Sequence, residues 1–136
     1  MSTTAAEATP DVPSPQLFSL AGKNVLITGA SRGIGKACAI ALAQAGANLC
    51  FVVRDPASVI DKLQGAKYIS CDLSDLEAVK TVFQLALDKM GGNIHVLVNC
   101  AGIQRRAPSV EFSEQDWDDV CTSQFYSHTC SYLLRY

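Results

Sequence analysis

The chain has 136 residues, 11 basic and 13 acidic side chains, a formal net charge of −2, and 49% hydrophobic against 18% charged residues. That length holds one ordinary domain, and the composition can build a core, so global disorder is excluded. The slightly acidic balance argues against a nucleic-acid partner, which would call for a clustered basic surplus. No apolar run approaches the roughly 20 residues of a membrane-spanning helix.

Residues 1–16 carry three of the five prolines, and their only charges are Glu7 and Asp11. They read as a disordered tail, leaving 17–136 as the domain. The tail has neither the Arg of a mitochondrial presequence nor the basic start and apolar middle of a signal peptide, so a cytoplasmic location is expected. The six cysteines, Cys38, Cys50, Cys71, Cys100, Cys121 and Cys130, lie far apart with no C-x-x-C pair. They are expected to be reduced thiols, with no zinc site among them.

Asn24–Thr28 is a short, nearly all-apolar run, the mark of a strand buried on both faces. A glycine turn follows, then an Ala-rich helix over 34–45 that Gly46 ends. Leu49–Val53 predicts a second strand. Asp55 as N-cap and Pro56 behind it predict a short helix toward Gln64. Lys67–Cys71 predicts a third strand, and Ser74 with Glu77 has capping-box spacing. Val79, Val82, Phe83, Ala86 and Met90 then share one helical face, ended by Gly91-Gly92. His95–Asn99 predicts a fourth strand. Ser113 predicts the cap of a last helix on which Trp117 would be a packing anchor. Alternating strands and helices imply βαβ units, an α/β fold with a doubly wound parallel sheet.

The first strand enters Thr28-Gly29-Ala30-Ser31-Arg32-Gly33-Ile34-Gly35-Lys36, and a helix leaves it. Glycines let the backbone turn sharply and approach a ligand, and the helix N-terminus offers free N–H groups to a pyrophosphate. A P-loop would need Gly at Ala30 and Ser or Thr at Ala37, and both positions fail. A glycine-rich connection without a ligand is the remaining structural reading.

T-G-x-x-x-G-x-G after the first strand, Asp72-Leu73 after the third and Asn99-Cys100-Ala101-Gly102 after the fourth together resemble the short-chain dehydrogenase/reductase family. The stretch from Arg105-Arg106 through Glu111 to Val120, with Phe18–Lys23, is similar to its 2-deoxy-D-gluconate 3-dehydrogenase branch. The resemblance spans residues 17 to about 120, the cofactor-holding half of such an enzyme, with strands in the Rossmann order 3-2-1-4 and the fold truncated after about four of them. It implies that Gly29, Gly33 and Gly35 shape a phosphate turn lined by Ser31, Arg32 and Ile34. Asp72 and the Leu73 backbone would hold adenine, and Asn99, Ala101 and Gly102 would run beside the ribose. The family's second Asn in N-N-A-G is Cys100 here.

An NAD site usually ends the second strand with a carboxylate that holds the ribose hydroxyls. Here Val53 and Arg54 stand there, and a guanidinium with Arg32 nearby suits the 2′-phosphate of NADP, so NADP is expected over NAD. Asp55, as a cap, should face away.

The resemblance also implies a Ser, a Tyr with a Lys four residues later, and a helping Asn. The sequence has no Y-x-x-x-K and no lysine after Lys89. The helping Asn falls at Gln124, whose amide extends one methylene further and would miss its position. The expected function is therefore the dinucleotide-binding half of an oxidoreductase interconverting a secondary alcohol and a ketone, of polyol or sugar-acid type, inactive as this chain. The alternative is a non-catalytic subunit that self-associates or pairs with an intact relative. His95 reads as a strand-end residue, and Tyr126, His128, Tyr132 and Tyr136 as decoration of the last helix.

Overall fold

The computed structural model describes residues 14–59 and 63–126. Of the expected tail, residues 1–13 lie outside that range, and Ser14–Leu17 form a single helical turn, α1. His128, Tyr132 and Tyr136 also lie outside it.

Four strands make one parallel sheet: β1 (Asn24–Thr28), β2 (Asn48–Val53), β3 (Lys67–Ser70) and β4 (Val96–Asn99). Their order is β3-β2-β1-β4, the Rossmann-type arrangement that the sequence implied. Strand β1 is central. Its Thr28 lies opposite Val52 on one side and Asn99 on the other.

Period-two alternation divides the strand side chains between two apolar layers. Val25, Ile27, Leu49, Phe51 and Val53 join Ala39 of α2 (Gly33–Gln44) on one face, with Val96 and Val98 packed against them. Leu26, Cys50, Val52 and Ile69 join Val79, Val82, Ala86 and Met90 of α3 (Leu76–Met90) on the other. The predicted apolar stripe of α3 is thus its buried face, with Phe83 partly buried beside it. Gly91 then stops the helix in the left-handed region, at φ +78°.

Three local expectations need correction. The segment after Asp55 is only a 3₁₀ turn, Pro56–Ser58, and residues 60–62 lie outside the described range. Val59 leaves the helical region because its side chain is buried in the α2-side layer. The cap of α3 is Asp75, not Ser74: its carboxylate accepts from the Glu77 and Ala78 N–H groups, a contact worth about 1 kcal/mol. Trp117 is no anchor. It is 63% exposed on α4 (Glu114–Cys121), a helix with no buried residue that Ser113 caps as expected.

The lower rim is tied by Asn24. Its amide donates to the Met90 and Asn93 carbonyls, and its N–H donates to His95 Nδ1. His95 is therefore a strand-end residue. No helix among the described residues is long and apolar enough to cross a membrane.

Candidate functional site at the upper rim of the sheet

Parallel strands deliver all their C-terminal ends to one rim, where open α/β sheets bind ligands. Thr28, Val53, Ser70 and Asn99 end there, so the segments at 29–35, 54, 72–73 and 100–102 converge.

The three glycines of the first turn have different physical duties. A Cβ on Gly29 would lie 2.6 Å from Ala101 N, and one on Gly35 would lie 2.3 Å from the Gly29 oxygen. Both are forced by backbone packing. Gly33 is held at φ +56° with open space where its Cβ would be. That opening adjoins the first turn of α2, whose N-cap, Arg32, makes no side-chain capping bond. Free N–H groups at a helix start beside an empty cradle suit an anionic group. Ser31, Arg32 and Ile34 border it, all exposed, with Ile34 at 80%.

On the other side of the turn, Ala101 N donates to Thr28 Oγ1 at 3.1 Å, fixing the segment after β4 against β1. Asn99 Oδ1 is buried without a hydrogen-bond partner among the described residues. An unsatisfied buried acceptor costs about 1–3 kcal/mol, which a hydroxyl donor from a bound molecule would offset. These two features, the open Gly33 cradle and the orphaned Asn99 oxygen, fit a dinucleotide lying across the rim.

Arg54 is exposed past the end of β2, and its carbonyl accepts from Ser70 Oγ. Asp55 caps the Ala57 N–H at 2.8 Å, as expected of a carboxylate turned away. Asp72 is exposed past β3. Its Oδ1 accepts from both the backbone N–H and the hydroxyl of Ser74. Those bonds, with Arg54 as a lesser influence, hold its carboxyl below the usual range. Arg54 and Asp72 thus stand within electrostatic reach of each other.

Gln124 sits in a π-helical turn, Thr122–Tyr126, that continues α4. Its amide donates to the Ile103 carbonyl at 2.8 Å and packs against Gly102. Through that bond the amide is tied to the segment after β4. Arg105 pairs with Asp116 at 3.2 Å and Asp119 at 3.3 Å, so it is committed to α4, whereas Arg106 is exposed.

Sequence reasoning missed Thr28, Ser74 and Gln124 as organisers of the rim. Their polar types were visible, but the partners they hold are set by tertiary register. A separate groove of about 640 Å³, lined by Ala107, Ser109, Phe112, Ser113, Glu114 and Trp117, contains none of the expected site residues.

A lowered folded-state pKa means that Asp72 contributes stability above its unfolded value of about 3.9 and loses it as pH falls through the folded value. Ser74→Ala removes the hydroxyl bond but keeps the N–H bond. Carboxyl-carbon NMR titration should show Asp72 moving part of the way back toward the ordinary value. An unchanged titration would contradict the assigned cause.

The family model for short chain dehydrogenase matches residues 23–131. The chain is 41% identical over 116 residues to gluconate 5-dehydrogenase of Gluconobacter oxydans, covering 80% of this chain and 45% of that protein. It is 39% identical over 108 residues to 2-dehydro-3-deoxy-D-gluconate 5-dehydrogenase of Dickeya dadantii, covering 76% and 42%. Among solved structures, a dehydrogenase/reductase from Sinorhizobium meliloti superimposes with a TM-score of 0.75 at 34% identity, covering 86% and 49%. The chain spans less than half the length of the curated relatives it matches.

Proposed function

Because the chain belongs to the short chain dehydrogenase family, we propose that its upper rim binds a nicotinamide dinucleotide, NADP in preference to NAD. In this reading the chain is the cofactor-holding half of an oxidoreductase that interconverts a secondary alcohol and a ketone on a sugar acid or polyol. The observation that carries it is the open cradle at Gly33, set beside the start of α2, in a turn whose Gly29 packs against the segment after β4. Relatives named for gluconate chemistry support the substrate class.

Each residue has a task in this reading. The backbone N–H groups from Ser31 to Gly35 receive the pyrophosphate, and Ile34 covers it. Arg54, helped by Arg32, grips the 2′-phosphate, because a guanidinium matches phosphate oxygens bidentately. Asp72 accepts from the adenine amino group, and the Leu73 N–H donates to the ring. Asn99, Ala101 and Gly102 border the ribose. When bound, the nicotinamide supplies or accepts the hydride.

This 136-residue sequence holds no Tyr-x-x-x-Lys, the pair that would move the proton. The purified polypeptide should therefore show no turnover of polyol or sugar-acid substrates. Enzyme-dependent NADPH oxidation with such a ketone, in preparations free of host reductases, would overturn this.

A second reading, pairing with another chain, is favoured by β4. Among the described residues no strand lies on its far side, and its four residues are only half-buried. An open apolar edge invites strand addition. Light scattering of fresh protein should show species larger than a monomer, and a stable monodisperse monomer would contradict it.

The cofactor preference is checked by fluorescence titration. NADPH should bind more tightly than NADH, and Arg54→Ala should erase most of the difference, a loss of about 1.5–3 kcal/mol. Equal affinities in the parent chain would refute the assignment.

A further inference from the structure

Arg54 stands one residue past β2, where the sheet stops holding the chain. At the end of the β2–β3 ladder, Cys71 N donates to the Val53 oxygen at 3.0 Å. Successive carbonyls of a strand face opposite neighbours, so in a continued strand the Arg54 oxygen would point away from β3. Instead Ser70 Oγ, on β3, donates to it at 2.9 Å. Ser70 is the register partner of Val53, so the two side chains share one face of the sheet, next to the oxygen that the hydroxyl holds. The hydroxyl thus extends the β2–β3 pairing by one residue. Immediately beyond, Asp55 has an extended backbone, and its carboxylate accepts from Ala57 N at 2.8 Å to open the 3₁₀ turn Pro56–Ser58. The Arg54 peptide is therefore held by β3 on one side and by the turn on the other.

The Ser70 bond is exposed, and so is Arg54. Water satisfies an exposed carbonyl nearly as well, so the bond adds little to folding. What it supplies is a fixed peptide beneath a charged side chain. We propose that Ser70 is a specificity-determining positioning residue, whose hydroxyl holds the Arg54 peptide so that the guanidinium meets the 2′-phosphate of NADP. This role rests on the dinucleotide reading of the rim and adds to it the residue that sets the preference.

A guanidinium grips phosphate with two parallel bonds, and that geometry tolerates little movement of the backbone that carries it. Fixing the peptide before the ligand arrives removes part of the ordering cost of binding. The next residue adds to the effect. An NAD site uses a carboxylate at the end of the second strand, and Asp55 carries one beside Arg54. Its commitment to the Ala57 N–H keeps it in the cap. The two side-chain-to-backbone bonds therefore act in one direction, offering the cation at the rim and withholding the anion. NADH has no phosphate at the 2′ position, so its affinity has no share in this arrangement. Loss of the Ser70 hydroxyl weakens one phosphate contact, which corresponds to about a fivefold drop in affinity for NADPH alone.

The test titrates NADPH and NADH by fluorescence into the full parent chain, Ser70→Ala, Ser70→Thr, Arg54→Ala and the Arg54→Ala/Ser70→Ala double variant. Ser70→Ala should bind NADPH about fivefold more weakly and change NADH by less than about twofold. Ser70→Thr keeps the hydroxyl in a residue that suits a strand, and it should retain the parent preference. In the Arg54→Ala background, removing the hydroxyl should cost NADPH nothing further, because the two residues act as one unit. Equal losses for both cofactors, or a loss of NADPH affinity that persists without Arg54, would make the hydroxyl a structural element and overturn the role. Collapse of the circular dichroism spectrum in Ser70→Ala would overturn it in the same way. A parent that prefers NADPH while Ser70→Ala prefers it equally refutes the role of Ser70 alone. Equal affinities in the parent refute the NADP preference itself, and the role of Ser70 falls with it.

Discussion

The close backbone contact at Gly29 is the constraint on which the upper rim depends. Gly35 presses on its oxygen from the helix side, and Cys100 with Ala101 presses behind its Cα. No side chain fits at either glycine, so the start of α2 and the exit of β4 are held against the same peptide. That contact aims the α2 N-terminus across the rim. It also puts Ala101 N within reach of Thr28 Oγ1, which satisfies a donor that would otherwise be left without a partner. Substitution at Gly29 or Gly35 would have to move whole backbone segments, whereas at Gly33 it would meet only unfavourable φ.

The sheet was legible because β1 and β2 are short apolar runs buried on both faces and β4 is a short apolar run as well, and the helices announced themselves by caps and stripe. The β1 bounds and the α3 face follow directly from Asn24–Thr28 and from Val79, Val82, Ala86 and Met90. Local choices between similar residues were not legible. Ser74 and Asp75 are both good caps, and the choice fell to Asp75 because Asp72 engages the Ser74 hydroxyl. The helix expected after Asp55 gave way because Val59 is drawn into the core, a tertiary preference that local propensity does not contain. Trp117 looked like an anchor by residue type alone, yet α4 presents it outward.

The glycine spacing marked the site, but the spacing could not divide the labour among its glycines. Gly29 and Gly35 serve packing, and Gly33 alone faces open space. In the same way, Arg54 and Asp72 were legible singly as strand-end charges. Their mutual influence comes from β2 and β3 pairing side by side, which brings a cation and an anion to adjacent positions on the rim. The fixed Asp72 carboxylate is ready to accept a hydrogen bond without first being oriented, the condition under which a polar contact retains most of its value.

The central claim is that the rim above β1, built around Gly29, holds a dinucleotide. Backbone amide NMR during titration with NADP⁺ tests it most directly, because each amide reports its own surroundings. The account predicts that the amides of residues 31–35, Leu73 and Ala101 move together and saturate at one concentration, with those lining the groove at Trp117 unmoved. Shifts confined to that groove, or none at the glycine turn at saturating NADP⁺, would contradict it.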